Sequence, residues 1–89
     1  MIVEMQLISR NKNNYLVVIY KISNERGYGV CSYKESLTGG VHININEKIR
    51  TFCSLSYRKT KFFNQENKLE TYIYYSKLVS MFRDHKIYG

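Results

Sequence analysis

The chain has 89 residues, of which 44% are hydrophobic, and a formal net charge of +7. This length predicts a single compact domain over residues 1–89, and the hydrophobic fraction excludes a disordered chain. The positive charge excludes a protein that imitates DNA. It favours phosphate backbones or acidic surfaces as partners, and it also serves solubility alone. Because so small a domain buries only a modest core, a homo-oligomer is a natural expectation.

The N-terminal residues 1–4 lack the positive start and the sustained apolar run of a signal peptide. No stretch approaches the roughly 18 apolar residues that a membrane span needs. We therefore expect a cytoplasmic protein without a membrane partner, with Cys31 and Cys53 reduced. The absence of Pro and Trp beside many Lys, Asn, Ile and Tyr residues is typical of AT-rich coding sequence, as in low-GC bacteria and their phages.

The first half of the chain predicts β-strands. Residues 3–7 alternate between apolar and polar side chains, the pattern of a half-buried first strand. After an Asn-rich turn, Tyr15–Ser23 is β-branched and aromatic on both faces, which predicts a central strand covered on two sides. A third strand is predicted over Tyr28–Lys34, where Gly29 indicates a bulge or a close backbone approach.

Two further strands follow the flexible loop at residues 36–40. Val41–Asn46 alternates most regularly, and its apolar residues Val41, Ile43 and Ile45 are predicted to point inward. The fifth strand is predicted over Ile49–Arg58. Its apolar face would carry Ile49, Thr51, Cys53, Leu55 and Tyr57. Short turns between successive strands imply an antiparallel meander.

From Asn67 onward the apolar period becomes helical. Asn67 and Glu70 fit a capping box that opens a helix reaching about Lys86. Its apolar stripe would consist of Tyr72, Tyr75, Leu78, Val79 and Phe82. The alternative is a sixth strand over Thr71–Tyr75, whose residues have high β propensity, before a short helix. We therefore predict an α+β fold: an antiparallel meander of four to five strands with a C-terminal α-helix packed on one face.

Patterns for metal binding and hydrolysis are weak. A zinc site could draw only on Cys31, His42, Cys53 and His85, and structural zinc ligands come in closely spaced pairs that this chain lacks. Asp84 and His85 have no nucleophile turn to complete a triad. The loop Thr38–Gly40 lacks the spacing and the Lys of a phosphate loop. We predict no metal site, no cofactor and no catalytic residues.

The remaining signal combines positive charge with aromatic rings. Arg50, Phe52 and Arg58 alternate on the face of the fifth strand opposite Cys53, and tyrosines come from neighbouring strands. Single-stranded nucleic acid binds such surfaces, because bases stack on rings at about 1–3 kcal/mol each while cations follow the phosphates. The predicted binding residues are Arg50, Phe52, Arg58, Lys59, Lys61, Tyr28, Tyr33 and Tyr57.

These observations favour a non-enzymatic binding module that docks on nucleic acid, single-stranded or RNA, or on an acidic or nucleoprotein partner. The alternative is a phage or mobile-element inhibitor, for example of anti-CRISPR type, that blocks a host protein interface. A third hypothesis is a metal-independent ribonuclease toxin. In that case His42 or His85 would transfer protons and Arg50 or Arg58 would clamp the phosphate.

Overall fold

The computed structural model describes residues 1–23, 26–55 and 60–84. Within these ranges it contains a six-stranded antiparallel sheet and a C-terminal helix, so the predicted α+β fold is confirmed. The strands are β1 (Ile2–Arg10), β2 (Asn13–Ser23), β3 (Gly27–Glu35), β4 (Val41–Ile45), β5 (Lys48–Ser54) and β6 (Lys61–Phe63). The helix α1 spans Lys68–Asp84.

The strand order is β1-β2-β3-β5-β4, which departs from a strict meander because β5, not β4, lies beside β3. The same edge of β3 holds two strands. β5 pairs with its end at Tyr33–Glu35, and β6 pairs with its start at Tyr28–Val30. Past this edge of β3, the sheet is therefore continued by β6 at one end and by β5 at the other.

The central strand β2 is buried on both faces, as predicted. Val17 and Ile19 point to the helix face, where they pack with Tyr75, Leu78 and Phe82 of α1. The opposite face, which we call the concave face, forms a second apolar cluster. Its buried members are Leu16, Val18, Cys31, Ile43, Ile45 and Phe52. Because Ile43 and Ile45 of β4 belong to the same buried cluster as Leu16 and Val18 of β2, three places away in the strand order, the sheet curls over this face.

Two tight turns join the outer hairpins. Asn11 and Lys12 link β1 to β2, while Asn46 and Glu47 link β4 to β5. All four residues have positive φ, between 50° and 67°. This is the geometry of the type I′ turn, whose twist matches that of the paired strands.

The helix α1 begins directly after Asn67, whose carbonyl oxygen accepts hydrogen bonds from the amide and the hydroxyl of Thr71. Thr71–Tyr75 is helical, so the alternative strand there is wrong. The predicted apolar stripe is confirmed, with Tyr75, Leu78 and Phe82 buried against the sheet. The end of the predicted helix at Lys86 lies outside the described residues.

The prediction for the faces of the fifth strand is wrong at Ile49 and Phe52, whereas Leu55 packs against the cluster under α1 as expected. Ile49, expected to face the core, is 72% exposed, and Phe52, expected on the outer side, is fully buried. The curl of the sheet explains the reversal, because the face that carries Phe52 closes over Leu16 and Val18. The Ile49 face lies beyond the strands that α1 covers, which are β1, β2, β3 and β6. The rest of the predicted strand, residues 56–58, lies outside the described residues.

Candidate binding surface

The structure separates the predicted binding residues rather than gathering them. Tyr33, Arg50 and Phe52 lie on the concave face, whereas Tyr28 and Lys61 lie on the helix face. Tyr57, Arg58 and Lys59 lie outside the described residues. The expectation of one shared sheet face is therefore not met by the five residues that the structure describes.

Two of the aromatic residues that were predicted to contact a partner are core residues. Phe52 has no exposed surface, and its ring packs edge-to-face against Tyr33 with centroids 6.4 Å apart. Tyr28 is 7% exposed and belongs to the cluster under α1. The prediction that these two rings are accessible to a partner is wrong, because the closed apolar clusters on both faces of the sheet bury them.

Tyr33 keeps part of its ring at the surface, but its hydroxyl points to Cys31. The Sγ of Cys31 donates a hydrogen bond to this hydroxyl over 3.1 Å. Burial raises the pKa of Tyr33, and the hydrogen bond with Cys31 raises it further. Burial also raises the pKa of the Cys31 thiol. Both groups therefore stay protonated near neutral pH.

Arg50 is held in an ion pair. Its Nε and Nη2 atoms donate hydrogen bonds of 2.6 Å to the two carboxylate oxygens of Glu35. The side-chain amide of Asn14 donates a third bond of 2.9 Å to the same carboxylate. These bonds, first from Arg50 and then from Asn14, lower the pKa of Glu35 to about 2. The positive charge of Arg50 is therefore largely neutralised by its own chain.

A cavity of about 430 Å³ opens beside this ion pair. Its walls combine polar side chains with two exposed apolar ones, Leu37 and Ile49, which flank the Glu35–Arg50 pair. The residues that line it are Lys12, Asn13, Asn14, Glu35, Ser36, Leu37, Ile49, Arg50 and Thr51. The cavity combines a satisfied ion pair with accessible apolar surface, a mixture that suits a protein contact.

The exposed ring on the concave face, Phe62, and its half-buried neighbour across Gly29, Tyr20, are residues that sequence reasoning missed. Phe62 of β6 is 65% exposed and pairs with Gly29 of β3, so its side chain points to the concave face. The ring of Tyr20 lies over Gly29 on the same face, since a β-carbon added at Gly29 would stand 2.6 Å from its Cζ. Gly29 therefore makes room for a ring rather than for another backbone, and Tyr20 and Phe62 occupy the strands on its two sides.

On the other face of β6, Lys61 lies over the ring of Tyr74, with Nζ 4.9 Å from the centroid. Tyr74 in turn packs against Phe63 at 5.9 Å. Lys61 itself is exposed and remains available to an anion. Arg26, also exposed, lies in the turn before β3, at the end of the sheet where β6 pairs. Strand β6 thus carries an exposed ring on one face and an exposed cation on the other.

The structure does not bring together the described side chains that were considered for catalysis or for zinc binding. Because Ile43 pairs with Arg50 and His42 with Thr51, His42 and Arg50 point to opposite faces of their hairpin. Cys31 lies on the concave face, and Cys53, paired with Lys34, lies on the helix face. Within the described residues no group of three metal-binding side chains occurs. His85 and Arg58 lie outside the described residues.

Comparison of the chain with protein-family models, with curated protein sequences and with solved structures found no match. Among the residues that the structure describes, α1 is the single helix, and it lacks the length and apolarity to cross a membrane.

Proposed function

We propose that this protein is a small, non-enzymatic intracellular binding module that docks on single-stranded nucleic acid, either free or within a nucleoprotein complex. The observation that carries the proposal is the exposed ring of Phe62 on the concave face, next to Gly29, over which the half-buried ring of Tyr20 lies. An exposed phenyl group on a sheet face is unfavourable in water and favourable as a stacking platform for a base.

Charge supports the same proposal. The chain carries 14 Lys and Arg residues against 7 Asp and Glu residues. Lys61 precedes Phe62 on β6 but points to the opposite face, so it would reach a phosphate around this short strand, and Arg26 lies at the same end of the sheet. Arg50, by contrast, contributes little, because Glu35 neutralises it. The binding surface that we propose is therefore centred on β6 and Tyr20 rather than on β5.

The test is a salt titration of binding to fluorescently labelled single-stranded DNA and RNA, followed by anisotropy. Contact of Lys61 and Arg26 with about two phosphates predicts a slope of log affinity against log salt near −1.5. Phe62→Ala is expected to weaken binding about tenfold at every salt concentration, because one stacking contact is lost. Lys61→Gln is expected to make the slope shallower by about 1.

Matched controls lie on the outer side of α1, where Ile73 and Lys77 are exposed. Ile73→Ala and Lys77→Gln remove the same kinds of group from a surface outside the proposed site. They are expected to bind as the natural chain does. A flat salt response, no binding at low salt, or equal losses for the control variants would contradict the proposal.

A second candidate is an inhibitor that occupies the interface of another protein. Leu37 and Ile49 favour it, because both are exposed apolar side chains on the rim of the same cavity. An affinity capture performed with and without nuclease separates the two candidates. An inhibitor would retain one stoichiometric protein after nuclease treatment and lose it in a Leu37→Ser/Ile49→Ser variant. A nucleic-acid module would lose its captured material on nuclease treatment.

A further inference from the structure

Strand β1 is an edge of the sheet, with β2 on one side and no strand of the described chain on the other. The two-residue turn after it makes Arg10 and Asn13 a hydrogen-bonded pair, so the even-numbered residues from Glu4 to Arg10 direct their backbone groups at β2. The backbone groups of Met5, Leu7 and Ser9 therefore point outward. Within the described chain, this leaves a row of unpaired donors and acceptors along the edge.

The edge lacks the features that usually prevent pairing. No Pro and no Lys occurs between Glu4 and Ser9, and the irregularity in pairing is confined to the first residues, between Ile2 and Glu4. Met5 and Leu7 are half-buried and continue the apolar cluster of the concave face to its border. A strand added here would extend both the hydrogen bonding and that cluster.

Two charges of opposite sign lie on the helix face of β1. Glu4 and Arg10 are on the same face as Ile8, and within the described residues neither forms a salt bridge. The Nη1 atom of Arg10 is buried without a hydrogen-bond partner. Like charges directly opposite each other destabilise a strand pair, whereas opposite charges stabilise it.

We propose that β1 pairs antiparallel with β1 of a second copy of this chain, with the two-fold axis at Leu7. In this register Leu7 faces Leu7, and Glu4 of each copy faces Arg10 of the other. A shift of one residue would set outward-pointing backbone groups against inward-pointing ones. A shift of the axis toward Met5 would place Glu4 opposite Ile8 or Gln6 and leave both charges unpaired.

The side of α1 nearest to β1 supports the same arrangement. Tyr74 contacts Phe63 of β6, so the opposite side of the helix, which carries the half-buried Tyr72 and Val79, faces β1. Joining two β1 strands would bring these sides of the two helices towards each other above the extended sheet. The pairing thus adds apolar surface to the backbone hydrogen bonds.

Charge reversal tests the register by sedimentation velocity. The natural chain is expected to be a dimer. Glu4→Arg and Arg10→Glu should each create two like-charge pairs and raise the dimer dissociation constant about tenfold or more. A mixture of the two variants should form a heterodimer, because one chain then carries two positive charges at these positions and the other carries two negative charges. The double variant should dimerise as the natural chain does.

Two proline variants test the backbone pairing directly and distinguish loss of the dimer from loss of the fold. Leu7→Pro removes an outward N–H and should give a folded monomer, with circular dichroism unchanged, since proline is tolerated on the free side of an edge strand. Ile8→Pro removes an N–H that bonds β2 and should unfold the chain. A monomeric natural chain, or variants that dimerise undiminished and gain nothing on mixing, would overturn the proposal.

Discussion

Arg50 and Glu35 lie 15 residues apart in the chain and meet through the pairing of β3 with β5. Two bonds of 2.6 Å fix the guanidinium against the carboxylate, and Asn14 from β2 completes the cluster. Alternation along β5 could place Arg50 on a face, but it could not reveal its partner. At the scale of single residues, a cation becomes a binding group only if the fold leaves it without a carboxylate.

The same cluster makes stability depend on pH. The pKa of Glu35 is lowered from 4.5 to about 2 by the hydrogen bonds from Arg50 and Asn14. A carboxyl group with a lowered pKa contributes stability that is fully present above its unfolded pKa and is lost as pH falls through its folded pKa. We expect the free energy of unfolding to fall by about 1–2 kcal/mol between these two pH values, allowing for partial exposure.

Urea unfolding of Glu35→Gln, followed by circular dichroism at several pH values, checks this expectation. The variant should be less stable at neutral pH and should lack this part of the acid-dependent loss. Glu47→Gln, which removes an exposed carboxylate from a turn, serves as the control and should keep the natural pH profile. An unchanged profile in Glu35→Gln would contradict the role of the cluster.

At the scale of elements, the parts with a strong period were predictable. β2, β4 and α1 agree with their sequence patterns because each contains a regular run of apolar residues that is long enough to show its period. β6 has only 3 residues, too few to show a period, and no sequence pattern indicated that it would lie beside β3. The faces of β5 were misjudged because either side of that strand offers apolar residues, and the curl of the sheet decides between them.

The tight turns give a prediction at this scale. Glu47 has φ of 67°, a left-handed conformation that costs a residue with a side chain about 1 kcal/mol. Glu47→Gly should therefore raise the free energy of unfolding by about 0.5–1 kcal/mol, because Asn-Gly is the preferred type I′ pair. The measurement is the urea midpoint at neutral pH.

Lys48→Gly provides the matched comparison, since Lys48 is the first residue of β5 and lies outside the residues of positive φ. It should lower stability, because glycine loses more conformational freedom in a strand. If Glu47→Gly were also destabilising, the side chain of Glu47 would be making a compensating contact and the turn argument would fail.

At the scale of the whole molecule, β2 and β3 carry two apolar clusters back to back. One lies under α1 and contains Phe82, and the other lies under the curled hairpin and contains Phe52. Sequence composition indicated a ring-rich sheet, but it could not say which rings the second layer would cover. Of the rings predicted to be accessible, Phe52 and Tyr28 belong to the core and Tyr33 is half-buried, whereas the exposed ring is that of Phe62.

Because some phenylalanine rings are buried and one is exposed, their replacement by alanine should change the free energy of unfolding by different amounts. Phe82→Ala and Phe52→Ala each remove a fully buried ring from a separate cluster and should lower the free energy of unfolding by about 3–5 kcal/mol. Phe62→Ala removes an exposed ring and should change stability by less than about 0.5 kcal/mol. Urea unfolding by circular dichroism and tyrosine fluorescence measures all three variants.

The two core variants should still unfold in one transition by both probes, because the clusters share β2 and β3 and neither can melt alone. Separate transitions would mean that the hairpin β4–β5 or the helix α1 is an independent unit. A large loss of stability in Phe62→Ala would show that this ring is part of the fold, and it would then be unavailable to stack on a base.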